Sequence, residues 1–316
     1  VTSRSIVAAY AAASRDLADH PAAESAWYDA LRAEPLIDGL ELAFTNGLHP
    51  AGSAHLSRLL DDRWSLVVTS IRRTMGASHR DPAYGLASSD EGGRSAAVRD
   101  VHLLRERIAE LQRPVLAVEL HSAPHRGRAP SAQDQLMRSL EEILAWDWAG
   151  TKLVVEHCDA FRATDTVQKG YLSLEEEIAA VRAVTGCGAD AAIALNWGRS
   201  AIEAGSANGP EEHLAAVLRE DVALAGFFFS GAAANGSEYG AAWRDVHLPM
   251  EPEEPTSLLT AARIQRTLRM LPHDVDYIGV KAAAHPGDAG LARLRNTLAL
   301  VERIDRMRRE EPVPSP

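Results

Sequence analysis

Carboxylates, an imidazole and an amine stand at the ends of short apolar runs in this chain, where a charge has to be solvated, paired or ligated because burying it alone is expensive. The most suggestive run is Lys152-Leu-Val-Val-Glu156-His157-Cys158-Asp159. Read as a strand, its period of two sets Lys152, Val154 and Glu156 on one face, with Glu156 at the far end. Glu156 could bind a divalent metal, take a substrate proton, hold a sugar hydroxyl or close an ion pair at a rim. His157 or Asp159 could assist, and alternation leaves open which of them faces inward. In Leu116-Ala-Val-Glu119-Leu-His121, Glu119 and His121 share a face by the same rule. Two carboxylates and an imidazole offer oxygen and nitrogen ligands suited to manganese, magnesium or zinc, so Glu119, His121 and Glu156 form a candidate metal set. Lys281, in Tyr277-Ile-Gly-Val-Lys281-Ala, is a cation for a developing oxyanion, an amine made nucleophilic by desolvation, or the ion-pair partner of Glu156 or Glu119. Glu119, His121, Glu156 and Lys281 are therefore the candidate catalytic residues.

Other side chains suit substrate contact. Glu41 ends an apolar run and is a candidate inward carboxylate or a rim ion pair. In Asn196-Trp197-Gly198-Arg199 an amide could orient a hydroxyl, an indole could stack on a sugar ring and a guanidinium could grip a carboxylate or phosphate. Packing of Trp197 under the helix layer, covered by Arg199, is the alternative. His125, Arg126 and Arg128 could receive an anion or form a solvated basic turn. The segment with Glu238, Tyr239, Trp243 and His247 could close over a substrate, and His285 could transfer a proton or stand exposed.

For these residues to meet, the elements carrying them must converge. Apolar runs at Ile6–Tyr10, Leu36–Phe44, Trp64–Ile71, Val115–His121, Lys152–His157, Ala191–Asn196, Ala223–Ser230 and Tyr277–Ala282 alternate with helix-compatible stretches. Eight strands each followed by a helix predict an α/β fold, the (β/α)8 or TIM barrel, rather than an open doubly wound sheet. In such a barrel the C-terminal strand ends and the loops after them form one mouth. Ser173 with Glu176 spells a capping box, Ser131 with Asp134 a helix start, and Arg72 to Glu91 reads as a long active-site loop. A single barrel domain over 1–309 with a frayed tail at 310–316 is expected.

Composition narrows the partners. A net charge of -11 from 33 basic and 44 acidic residues argues against a nucleic acid partner, while leaving room for a local cationic pocket. Two cysteines, Cys158 and Cys187, form neither a zinc knuckle nor a disulfide framework. No signal-like opening or membrane-length apolar run is read, so the expectation is a cytoplasmic enzyme or binding protein that could be a homo-oligomer. Asp90-Glu91-Gly92-Gly93 lacks a phosphate-loop lysine, and no His-Glu-x-x-His motif occurs.

Through Leu36-Ile-Asp-Gly-Leu-Glu41-Leu, Val115 to His121 and Leu153 to His157, the chain from Ser5 to Arg306 resembles the xylose-isomerase-like barrels. That superfamily includes sugar isomerases, keto-sugar epimerases, inosose dehydratases and endonuclease IV relatives, and the chain looks closer still to a bacterial branch, DUF4862. The resemblance implies a divalent metal held by a central-strand Glu, by acidic or histidine ligands from the following strands and by a final Glu on strand eight. Glu156 matches the first ligand. Asn196 stands in place of the usual Asp, Phe229 and Ser230 in the usual His region, and Lys281 in place of the terminal acid. Either Glu119, His121 and Glu156 make a relocated metal site, or Lys281 stabilises an oxyanion while Glu156 or His121 moves the proton. The expected function is an isomerase or epimerase acting on a small carbohydrate. The alternatives are a Lys281-dependent aldolase or lyase and a noncatalytic sugar-acid binding protein.

Overall fold

The computed structural model describes residues 3–162 and 168–310. Eight parallel strands close in chain order into a barrel. They are β1 (Arg4–Val7), β2 (Gly39–Ala43), β3 (Ser65–Thr69), β4 (Val115–Leu120), β5 (Lys152–Glu156), β6 (Ala191–Asn196), β7 (Leu224–Phe229) and β8 (Tyr277–Val280). The ring shuts where Ile6 of β1 pairs with Gly39 of β2 and Gly279 of β8. All eight expected runs carry a strand, and the expected barrel is the one observed. The expected ends run past several strands because the chain turns toward the mouth early: Ala9–Ala11 is already a short 3-10 turn.

The outer layer comprises α1 (Pro21–Ala33), α2 (Ser53–Leu59), α3 (Ile71–Arg80), α4 (Glu91–Leu111), α5 (Gln133–Leu144), α6 (Leu174–Gly186), α7 (Trp197–Ala204), α8 (Gly209–Arg219), α9 (Ala261–Met270) and α10 (Arg295–Glu310). The capping box of Ser173 with Glu176 opens α6 as expected. Two helices were hidden by composition. The first, α3, occupies half of the expected Arg72–Glu91 loop; it is amphipathic, burying Ile71, Thr74 and Ala77, but its Arg, Gly, Ser and His make it polar enough overall to read as a loop. The second, α7, begins directly after β6 because Asn196 accepts the Arg199 N–H as its cap. The expected start of α5 at Ser131 is corrected to Gln133, with no side-chain cap. Of the expected frayed tail, Glu310 ends α10 and residues 311–316 lie outside the described residues. No helix among the described residues is long and apolar enough to cross a membrane.

Alternation sorts each strand into an outward face under the helices and an inward face. Inside, Ile6, Val67, Ala117, Val154, Ala192 and Phe228 fill the barrel. The two bulky inward rings sit over glycines on the adjacent strand. Register places Tyr277 opposite Gly226 and Phe228 opposite Gly279, and a methyl at those glycines would come within 2.0 Å and 2.1 Å of the rings. On the outward side, His157 ties β5 to two helices, its Nδ1 2.7 Å from Glu177 of α6 and its Nε2 2.8 Å from Glu203 of α7. Both ring nitrogens face carboxylates, so both must donate. Burial disfavours the imidazolium, but Glu177 and Glu203 outweigh it and hold the pKa well above the ordinary 6.5.

Gly279→Ala should lower the unfolding free energy by roughly 1–3 kcal/mol, because neither the added methyl nor the buried Phe228 ring has room. In Gly186→Ala, where a methyl meets nothing within 4 Å, urea denaturation should register a change under about 1 kcal/mol; equal effects would remove ring-on-glycine packing as a constraint. The stability that His157 adds, measured against His157→Gln, should be full below about pH 6.5 and be lost as pH rises through the higher folded pKa. A difference that instead grows with pH would mean the buried ring is neutral.

Candidate active site

The inward face that carries Ile6, Val67 and Val154 ends, one layer higher, in charge. Glu41 from β2, Glu119 from β4, His121 just after it, Glu156 from β5 and Lys281 just after β8 converge there, joined by Arg199 from α7. None is more than 2% exposed, so water screens little and these groups must balance one another. Lys281 Nζ lies 2.8 Å from Glu41 Oε1, 3.1 Å from Glu156 Oε1 and 4.1 Å from the centre of the Phe228 ring. Glu156 Oε1 also meets Arg199 Nη1 at 2.7 Å, and its Oε2 lies 2.9 Å from His121 Nε2. Glu119 Oε1 accepts the Tyr277 hydroxyl at 2.7 Å, and its other oxygen has no hydrogen-bond partner among the described residues. Tyr10 donates to Glu41 Oε2 at 3.3 Å.

The three carboxyl groups are driven apart electrostatically. Burial raises Glu119, and its neighbours Glu156 and Glu41 raise it further, well above the carboxylate range. Burial likewise raises Glu41, only partly opposed by Lys281. Burial also works against ionised Glu156, yet Arg199 and Lys281 overcome it and hold this carboxyl well below its ordinary value. Lys281 is the mirror case: burial would lower it, but Glu156 and Glu41 raise it, so the ammonium persists. Burial brings His121 down to about 4 despite the pull of Glu156. The ring is then neutral, donating Nε2–H to Glu156, with Nδ1 3.0 Å from the Ser70 hydroxyl.

The remaining candidates divide. Asn196 lies inside the mouth, its Oδ1 accepting the Ser230 hydroxyl at 2.8 Å. Trp197 is fully buried in the layer between sheet and helices, so packing rather than ring stacking accounts for it. His247 lies at the edge, its Nδ1 3.1 Å from Asp245 Oδ1. His285 is about half exposed and 3.2 Å from Glu238, apart from the buried cluster. His157 faces the helices, while Asp159 takes Lys169 Nζ at 3.1 Å. Sequence reasoning missed Tyr277, which has the inward parity of β8, and Tyr10, which lies in the 3-10 turn after β1. It also missed Asp245, which reaches in from the long segment after β7 to 3.0 Å from Arg199 Nε and 2.7 Å from Lys169 Nζ. No periodicity marks such a loop carboxylate.

Oxygens of Glu41, Glu119 and Glu156 lie within 4.8 Å of one another, as the ligands of one ion would. The cation placed among them is nevertheless Lys281, and His121 turns an N–H rather than a lone pair toward Glu156. Of the expected divalent set, Glu119 and Glu156 belong, with Glu41, to a group of carboxylates that could hold a metal, and His121 does not. Glu24, His49 and His55 also cluster within 4.8 Å. There His49 Nδ1 accepts the Ala51 N–H at 3.0 Å, which leaves the proton on Nε2, 2.7 Å from Glu24, as a hydrogen bond.

Several known proteins are similar to this chain in sequence or in fold. The chain is 35% identical over 265 residues to "Uncharacterized protein STM3670" of Salmonella typhimurium, covering 82% of each. Among solved structures, an L-ribulose 3-epimerase matches with a TM-score of 0.61 at 13% identity, over 99% of this chain and all of that one. A xylose isomerase-like TIM barrel protein from Mycobacterium smegmatis in complex with magnesium matches at 0.54 and 13%, over 97% of each chain. Endonuclease IV from Thermus thermophilus matches at 0.54 and 15%, over 96% of this chain and 99% of that one. Epimerase and nuclease share one scaffold, so these likenesses establish the xylose-isomerase-like fold and leave the chemistry to the site. Residues 6–295 match the family described as "Domain of unknown function (DUF4862)", and the chain belongs to that family.

Proposed function

We propose that this protein is an isomerase or epimerase that moves a proton between carbons of a small carbohydrate, by residues of the chain itself. The observation that carries the reading is the splitting of three adjoining carboxyl groups, Glu156 held ionised while Glu119 and Glu41 are pushed toward the protonated form. Environments that drive neighbouring acids apart mark acid–base assignments. Glu119 and Glu41 form the acid–base couple: Glu41, beside the Lys281 ammonium, is the carboxylate that takes the proton alpha to the substrate carbonyl, protonated Glu119 is the acid that supplies one, and the carbonyl oxygen becomes an enediolate oxyanion. Lys281 and Arg199 are the cations that meet this charge, both fixed by Glu156. Return of the proton to the neighbouring carbon gives the isomer, and return to the other face gives the epimer. Asn196 serves as a hydroxyl contact. The fold shared with an L-ribulose 3-epimerase supports the reading.

The Schiff-base alternative loses ground on electrostatics. An amine must shed its proton before attacking a carbonyl, and Lys281 is an ammonium between two carboxylates with its pKa raised well above 10.5. Borohydride added with a panel of ketoses, aldoses and aldonates should leave Lys281 unmodified; a substrate-dependent adduct there would replace proton transfer by carbon–carbon chemistry.

The direct test is exchange in deuterated water. With the same panel, wild type should wash deuterium into one carbon position of a turnover substrate. Folded Glu119→Gln should lose about 100-fold or more of that rate. Undiminished exchange in the variant would exclude Glu119 as the proton carrier.

A further inference from the structure

A second polar feature opens on the same end of the barrel, built from the segments that follow β3, β4 and β5. It is a vestibule of about 450 Å³ between the end of α3, the turn at residues 125–128 and the stretch around Lys169. Five of its eleven lining residues are basic or histidine, namely His79, Arg80, His125, Arg128 and Lys169, and none is acidic. Chance would favour the reverse in a chain with 44 acidic and 33 basic residues.

The vestibule's cations are not all spent on structure. Arg126, beside it, is consumed by Glu176, which takes its two terminal nitrogens at 2.7 and 2.8 Å. Lys169, on the buried side, is held by Asp159 and Asp245. Arg80 and Arg128 are exposed, and neither is in an ion pair among the described residues. His125 Nδ1 accepts the Gly127 N–H at 3.0 Å, which leaves Nε2–H as the ring's donor. Two guanidinium forks and an imidazole N–H around one opening match the oxygens of a compact anion. Lys169 also links the vestibule to the barrel centre, through Asp245 to Arg199 and on to Glu156.

We infer that this vestibule binds a phosphate or carboxylate carried by the substrate, which makes the substrate a sugar phosphate or a sugar acid. The inference rests on the proton-transfer reading for what the anion is attached to, whereas the anion site needs no turnover to be tested. Its failure and the failure of that reading are thus separable: calorimetry reports the first and deuterium exchange the second.

The experiment is calorimetric titration of the full chain with inorganic phosphate, gluconate and the uncharged polyol sorbitol at fixed ionic strength. At least one anion should bind in preference to sorbitol, and the preference between the two names the group. The double variant Arg80→Gln with Arg128→Gln, at exposed positions where folding is undisturbed, should bind that anion at least tenfold more weakly. A control removing the same charge elsewhere, Arg58→Gln with Arg295→Gln, should bind as wild type does. Absence of anion binding, equal binding of sorbitol, an unaffected double variant or an equally weakened control would each overturn the inference.

Discussion

Everything at the barrel mouth depends on the ionised state of Glu156. This carboxylate is the shared counter-ion of Lys281 and Arg199 and the acceptor of His121, all of them out of water. Take its charge away and two buried cations lose their common partner, in a region where an unpaired charge costs several kcal/mol. Burial raises Glu119 and Glu41, and the charge that Glu156 keeps raises both further. The same fixed anion sustains the cationic state of Lys281, while burial, against the pull of that anion, keeps His121 neutral.

The barrel below is shaped to hold that arrangement still. Tyr277 fixes one oxygen of Glu119, and its ring is seated over Gly226. Phe228 lies over Gly279 and offers its face to the Lys281 ammonium. Each ring thus has one edge in the packing of the barrel and the other on a polar group of the cluster, so the interior that closes the fold also sets the direction of the polar side chains. Outside the sheet, the imidazolium of His157 between Glu177 and Glu203 fixes β5 against its helices, immediately beside the strand's last residue, Glu156.

Strand alternation made much of this legible. Glu41, Glu119, Glu156 and Lys281 sit in apolar runs with the right parity, and a closed parallel barrel brings any such set together at one end. Trp197 was misleading because it follows Asn196, and the inward strand ends at that cap; one residue later the chain is a helix whose first side chain turns to the outer core. Asp245 and Lys169 were invisible for another reason. They lie on segments without period, and what defines them is each other and Arg199, contacts that exist only after the loops have folded over the mouth. The α3 helix escaped because its buried face is small and the rest of it is polar.

The resemblance to metal-dependent barrels and the buried lysine can be reconciled by charge. A set of converging carboxylates needs a cation to exist at all in low dielectric, and a divalent ion or two organic cations satisfy that need equally. Here Lys281 and Arg199 supply it, with Glu119 relieved by its proton. For stability alone such a cluster is a poor choice, since apolar residues of similar volume in place of buried ion pairs are often neutral or stabilising. Its place in the middle of an otherwise apolar interior is what the proposed proton transfer would use. The groups that are costly to bury are the ones that a carbonyl compound losing a proton requires: a carboxyl pair to carry the proton, and fixed positive charge where oxygen becomes negative.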